Sequence, residues 1–418
     1  MEYTEEEVLQ YVENHDVQFI KLFFTDIFGT LRSINIQPTE LSKAFKRGIA
    51  FDASAVSGFL NMEYSDLFVV PLAETMSVVP WRSEQGKVIR FYCTVRYPDG
   101  KVFDGDTRSL LAKAVEKAEK AGYECKFGTK CQFYLFKRDL DGNPTLEPHD
   151  KASYCDLAPL DAGEDIRKEI CQTLCKMGIE PMVSRHETGP GQHEVDFNMG
   201  QGVKAADNLT TFKTVVRSVA ANNGLFASFL PNPLRDEVGS GFYVSLSIKK
   251  DGKNIFEGGT LSETGGAFVA GILNRICEIS AFLNPLPSSY GRLGHKDAPL
   301  SVSWSRQNRK GQLIRIPSCQ DEDARIEVRS ADPSCNPYLA IALLLLSGLA
   351  GVENKETIIP AAEDLRAEAA WTYGTLPATA EAAQKLCKKS KFVHSVLSEE
   401  IIKAYTEGHL EEPDFGRV

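Results

Sequence analysis

Arg325-Ile-Glu-Val-Arg329 alternates charged and apolar residues without a break, the pattern of a β-strand with one apolar face. Residues i and i+2 of a β-strand share a face. Arg325, Glu327 and Arg329 therefore stand on one side, and Ile326 and Val328 face a core. The three charges face either water, as a salt-bridge ladder, or a cavity. On its N-terminal side, strand signals recur at 126–136, 179–186, 192–197 and 241–248. Helical patterns lie between them at 107–121, 166–177, 209–222, 265–283 and 336–351. Strands dispersed among helices, with several hairpin-like pairs, predict an α+β fold with a curved antiparallel sheet rather than a doubly wound one.

The first hundred residues read differently. Thr4 with Glu7 three positions on predicts a capping box for a helix over 4–14. Val17-Gln-Phe-Ile-Lys-Leu-Phe-Phe-Thr-Asp26 alternates, Asp26-Ile-Phe-Gly29 turns the chain, and Leu31-Arg-Ser-Ile-Asn-Ile36 returns it. Further strands are expected at 67–71 and 88–95, and Pro98-Asp-Gly100 is a turn. A small β-rich domain is thus placed at 1–103 and a larger one at 104–418, since 418 residues exceed one ordinary domain.

Composition narrows the function classes. With 43% hydrophobic and 25% charged residues the chain is globular. A net charge of -10 argues against a nucleic-acid partner, which would want a basic face. The acidic N-terminus has no signal-peptide pattern. The longest apolar stretch, 338–350, falls short of the roughly 20 residues a bilayer needs, so it is expected as a buried helix. Ten cysteines without a CxxC pair predict reduced thiols in a cytoplasmic protein. Cys171 and Cys175 share a helix face but have no further ligands nearby.

Two groups of residues carry chemistry. Glu194 and Asp196 share a strand face in Gln192-His-Glu-Val-Asp196, and Gly189-Pro190-Gly191 leads back to Glu187. Carboxylates brought together repel unless a cation lies between them, so this is either a magnesium or calcium site or a solvated loop. Arg292, Arg309, Arg315, Arg325 and Arg329 suit bidentate recognition of phosphate or carboxylate. Together the two groups point to phosphoryl transfer.

In this order the segments resemble type I glutamine synthetase from about Phe19 to Glu400. The resemblance is carried by Asp26-Ile-Phe-Gly29, Phe51-Asp-Ala-Ser-Ala-Val-Ser-Gly-Phe59, Tyr154-Cys-Asp-Leu-Ala-Pro159, His186-Glu187 through Phe197, Trp304 through Pro317, Arg325 through Ser330, and Asp332-Pro-Ser-Cys-Asn-Pro-Tyr-Leu-Ala340. It implies an N-terminal β-grasp domain, then a helix-flanked curved antiparallel sheet. It also implies a homo-oligomeric, hexamer-based ring with sites between subunits. The implied chemistry joins a glutamate-type carboxylate to ammonia through an acyl phosphate made from ATP, with two magnesium ions.

Carried over, Asp52 is lent to a neighbouring subunit's site and Asp297 serves as the flap acid. Arg292, Gly239 and Arg329 bind substrate. Ser247, Arg309, Arg315 and Arg325 serve nucleotide and phosphate, with Arg309 and Arg329 also catalytic. The first cation site is Glu187, Glu194 and Gln132, where the family has glutamate in place of Gln132. The second keeps only Glu327, because Lys130 and Tyr243 replace a glutamate and a histidine; Val238 replaces an asparagine beside Gly239. By the same resemblance, the family's final C-terminal stretch is expected to be truncated here. One magnesium is therefore expected, weakly held, with Lys130 paired to Glu327 in the second ion's place. An altered ATP-dependent ligase, a non-catalytic nucleotide- or metabolite-binding relative, and one-metal chemistry without phosphoryl transfer all remain open.

Overall fold

The computed structural model describes every residue except 1–2, 57, 60–64, 81–85, 258–260, 297, 308–310, 318, 320–322, 365–373, 409–411, 414 and 416–418. Helix α1 (Glu5–Asn14) starts on the expected box: Thr4 Oγ1 accepts from the Glu7 N–H, and Glu7 Oε2 accepts from the Thr4 N–H at 2.8 Å. Strands β1 (Val17–Thr25) and β2 (Leu31–Ile36), helix α2 (Leu41–Arg47), and strands β3 (Ile49–Asp52), β4 (Asp66–Pro71), β5 (Ser77–Val78) and β6 (Lys87–Arg96) complete the first unit. Its sheet runs β2-β1-β6-β4-β3, with β5 also on β6. The central pair β1/β6 is parallel and its neighbours are antiparallel, as in a β-grasp fold.

The second sheet is built around one long strand. Helix α3 (Thr107–Lys120) leads to β7 (Tyr123–Arg138), and β8 (Pro144–Pro148) folds back on it. There follow α4 (Glu164–Lys176), β9 (Pro181–His186), β10 (Gln192–Phe197), β11 (Gly200–Gln201), α5 (Lys204–Asn222), β12 (Leu225–Ser228), β13 (Phe242–Lys250) and β14 (Lys253–Asn254). The chain continues through α6 (Glu263–Leu283), α7 (Pro287–Arg292), β15 (Ser301–Ser305), β16 (Gln312–Arg315), β17 (Ile326–Val328) and α8 (Pro337–Glu353). It closes with α9 (Ala380–Lys389), α10 (Lys391–Val396) and α11 (Glu399–Thr406). The sheet order is β15-β16-β17-β13-β7-β10-β9, antiparallel apart from β15/β16.

The main core lies on one side of this sheet, and a smaller apolar cluster of Tyr134, Phe136 and Phe226 lies at one end of the other face. Phe127, Cys131, Phe133 and Leu135 of β7 are fully buried, and Phe133 packs edge-on against Phe212 of α5 at 5.8 Å. Helix α6 is long and apolar enough to cross a bilayer, yet most of it is buried in the protein, against α8 among others. Their approach requires glycine: a Cβ at Gly271 would lie 2.3 Å from Ser347 O, and one at Gly351 would lie 2.2 Å from Ala267 O. Tyr92 of β6 joins the first sheet to α5, donating to the Asp207 carbonyl at 2.8 Å. The Asp207 carboxylate holds the helices of the larger unit together: Arg108 of α3 grips it through Nε and Nη2 at 3.0 and 2.9 Å, and Tyr338 of α8 donates to its Oδ1.

Candidate functional site

Apolar residues of β7 face the core, so Gly128, Lys130 and Gln132 must face the other way. The same alternation turns Gln192, Glu194 and Asp196 of β10 away from Val195 and Phe197. Register then places the polar residues in rows across the sheet. Arg185 pairs with Glu194 and Glu194 with Gln132; Asp196 pairs with Lys130 and Lys130 with Tyr243; Ser245 pairs with Glu327 and Glu327 with Arg315. Directly opposed residues have Cβ atoms about 4.5–5.5 Å apart, so their side chains must interact.

They do so as a charge network. Glu194 is buried and both its oxygens are occupied: Arg185 Nη1 donates to Oε1 at 3.0 Å and Gln132 Nε2 to Oε2 at 3.0 Å. Gln132 Oε1 accepts from the Gly241 N–H at 2.7 Å. That N–H can only donate, which assigns the amide oxygen to Gly241 and the NH2 to Glu194. Gln132 therefore shows Glu194 a donor, not the oxygen ligand its place in the first cation site implies.

The second row is linked to the first. Asp196 Oδ2 accepts from Arg185 Nη2 at 2.9 Å and lies 3.7 Å from Lys130 Nζ. Lys130 Nζ is 3.3 Å from Glu327 Oε2, close enough for an ion pair without hydrogen-bond alignment. Arg329 Nε donates to Glu327 Oε1 at 2.8 Å, and its guanidinium lies over the Tyr243 ring at 5.8 Å.

Protonation follows this layout. Burial pushes Glu187 up to about 7, and Asp196 adds to the rise while Arg185 opposes it. Burial followed by Glu187 and Asp196 pushes Glu194 up to about 8. Glu327 is also pushed up by burial, but Lys130, Arg329 and Arg315 outweigh that and hold it below the usual carboxylate range.

Behind this face lies a second cluster, with Asp150, His186 and His193 ligand atoms within 4.8 Å of one another. His186 Nε2 is 2.9 Å from Asp150 Oδ1 and its Nδ1 is 2.7 Å from Glu187 O. Arg167 Nη1 is 2.9 Å from His193 Nδ1 and also donates to Asp161. The cluster ties β9 and β10 to α4.

Of the other anticipated residues, Arg292 is buried, and its Nη2 donates to the carbonyls of Ser330 and Ala331. Gly239 packs on it, since a Cβ there would lie 2.5 Å from Arg292 Cγ. The neighbouring Val238 carbonyl accepts from Tyr134 OH at 2.5 Å. Ser247 accepts from Asn254 Nδ2 at 2.9 Å on the polar face of β13. Arg325 Nη1 donates to Asp323 O at 2.8 Å. Asp52 sits exposed on the first sheet, accepting from the N–H and hydroxyl of Ser54. Asp297 and Arg309 lie outside the described residues. Arg185 was not anticipated, although its i, i+2 spacing to Glu187 was the signal for a shared face.

Comparison with known proteins places this arrangement. A family model described as "Glutamine synthetase, catalytic domain" matches residues 104–415, and one described as "Glutamine synthetase, beta-Grasp domain" matches 16–98. A glutamine synthetase of Methanosarcina mazei is 41% identical over 416 residues, covering 96% of this chain and 92% of its own. One from Thermus thermophilus is 37% identical, covering 100% and 97%. A solved structure titled as a GmaS/ADP complex superposes with a TM-score of 0.85 at 25% identity, covering 96% and 94%.

Proposed function

The chain belongs to the glutamine synthetase family, and from that premise we propose that it binds a nucleotide and a small carboxylate while ligating glutamate to ammonia far more slowly than an intact family centre. One observation carries this reading: Lys130 Nζ lies 3.3 Å from Glu327 and 3.7 Å from Asp196, where the resemblance requires a carboxylate for the second divalent ion. A dication held at Glu327 would stand within a few ångströms of this ammonium, in a half-buried site where like charges repel strongly. Tyr243 offers a phenol kept protonated by burial, instead of an imidazole. The residues at this position do not fit a second divalent ion.

The chain's own groups divide the remaining work. Lys130 and Arg329 hold Glu327 ionised, and Arg315, its cross-strand partner, adds positive charge on the same side. These cations can hold phosphate oxygens, but each offers one unit of charge at a fixed point. Losing one preorganised group that stabilises developing charge costs about 10²–10³ in kcat.

Steady-state turnover with ATP, glutamate, ammonium and magnesium tests the reading, and an ordinary family rate would refute it. Calorimetry with ATP should give the same affinity with magnesium as with a chelator. A second reading, binding without turnover, is supported by Glu194 having both oxygens occupied by donors; retained binding with zero turnover identifies it. The exposed Asp52 on the first sheet supports a ring in which it completes a neighbour's site, and light scattering measures that assembly. All ten cysteines are unpaired, which supports a reducing, cytoplasmic compartment.

A further inference from the structure

We propose that Arg185 is a tethered cation standing in the first cation position, and that with Gln132 it closes that position to divalent metal. This rests on the family reading above but concerns a different position from Lys130. Arg185 lies on β9 two residues before Glu187 and directly opposite Glu194, so its side chain enters the carboxylate face from the sheet edge. One nitrogen holds Glu194 Oε1 at 3.0 Å, the other holds Asp196 Oδ2 at 2.9 Å, and only 19% of the side chain is exposed. A guanidinium is a planar fork that can bridge two carboxylates in this way, whereas an ammonium is a point charge.

Gln132 completes the closure. Its NH2 donates to Glu194 Oε2, and the donor-only N–H of Gly241 fixes that orientation. An ion approaching Glu194 would therefore meet N–H groups on both carboxylate oxygens. Magnesium and calcium need six or more oxygen ligands. Here an ion would have to break two charge-assisted hydrogen bonds of Arg185 and leave a mostly buried guanidinium beside a dication. Restoring a carboxylate at position 132 alone leaves that obstacle in place, because Arg185 still holds Glu194 and Asp196.

The test uses manganese alone, without nucleotide, read by loss of the free-ion electron paramagnetic resonance signal on the full chain. Wild type and Gln132→Glu should leave the ion free up to about 1 mM, the Kd of the weakest carboxylate sites. Gln132→Glu with Arg185→Ala should bind one ion, tighter than Gln132→Glu by about tenfold or more, and adding Glu194→Gln should abolish that binding. Arg185→Gln in the Gln132→Glu background gives the same readout should the alanine variant fail to fold, as circular dichroism would show. Three results would overturn the proposal: wild-type binding that Glu194→Gln removes, Gln132→Glu binding as tightly as the double variant, or folded double variants that bind nothing. Such Glu194-dependent manganese binding by a wild type that still ligates slowly would defeat this inference alone, while an ordinary ligation rate would defeat the functional reading.

Discussion

Lys130→Met removes the ammonium but keeps a chain of similar length, so it isolates the charge. At an effective dielectric of about 20, unit charges 3.3 and 3.7 Å apart attract by about 4–5 kcal/mol each before desolvation. The net loss is smaller, because 22% of the Lys130 side chain is exposed and both carboxylates keep another partner, Arg329 at 2.8 Å and Arg185 at 2.9 Å. Breaking a buried pair outright costs about 3–5 kcal/mol, so the retained partners reduce the expectation to about 2–3 kcal/mol. For 418 residues the unfolding entropy is about 0.9 kcal/mol/K, which converts to a Tm lower by about 2–3 °C. Scanning calorimetry with and without magnesium reads both consequences. Wild-type Tm should not respond to magnesium. The variant should recover part of its loss, about 1.4 kcal/mol if the ion is present at ten times its Kd. A variant as stable as wild type, with the same indifference to magnesium, would show that Lys130 does not neutralise these carboxylates.

Asp207→Ala removes the buried acceptor that Arg108 of α3 and Tyr338 of α8 share, and should cost about 3–5 kcal/mol by urea denaturation. Hydrogen bonds from Arg275 hold Glu356 below the ordinary carboxylate range, joined by Asn274. The stability from that charge is present above the unfolded pKa of about 4.3 and is lost as pH falls through the lower folded value. Glu356→Gln should therefore lower the unfolding free energy measured in urea by about 1–2 kcal/mol at pH 7, and much less at pH 3. Gly239→Ala would place a Cβ 2.6 Å from Pro231 O as well as against Arg292; it should destabilise by about 1–3 kcal/mol and weaken carboxylate binding more than nucleotide binding in calorimetry.

How much of this was legible in sequence depended on whether a residue's partners were local. Strand β10 runs from Gln192 to Phe197 as the alternation predicts, and β17 occupies Ile326–Val328 within its anticipated segment. Strand β12, Leu225–Ser228, gave no signal, because all four residues are buried and its identity comes from pairing with β7. The carboxylates of the site were legible because spacing of two puts them on one face. The orientation of Gln132 was not, since it depends on the N–H of Gly241, 109 residues away. The match to the family pattern picks out Arg292 but not its neighbours: its guanidinium bonds the main chain of Ser330 and Ala331, a contact that only tertiary structure determines.

On the proposed reading, Arg185 and Lys130 together change what the centre responds to. A diffusible dication brings two units of charge, arrives with the ligand, and leaves when the ligand leaves. A tethered cation brings one unit, is always present, and is already paired with Glu194, Asp196 or Glu327 before any ligand arrives. The acidic groups Glu187, Glu194, Asp196 and Glu327 thus face the cations Arg185, Lys130, Arg315 and Arg329. An incoming phosphate must compete with these carboxylates for each positive group, where in a metal-loaded site it would complete an ion's coordination shell. Binding of an anion in such a centre should weaken with ionic strength as partly exposed pairs are screened, while remaining indifferent to free magnesium. ATP titrations at two salt concentrations, each with and without a chelator, would show that pattern. Magnesium-dependent affinity at both salt levels would mean that an ion still enters past Arg185 and Lys130.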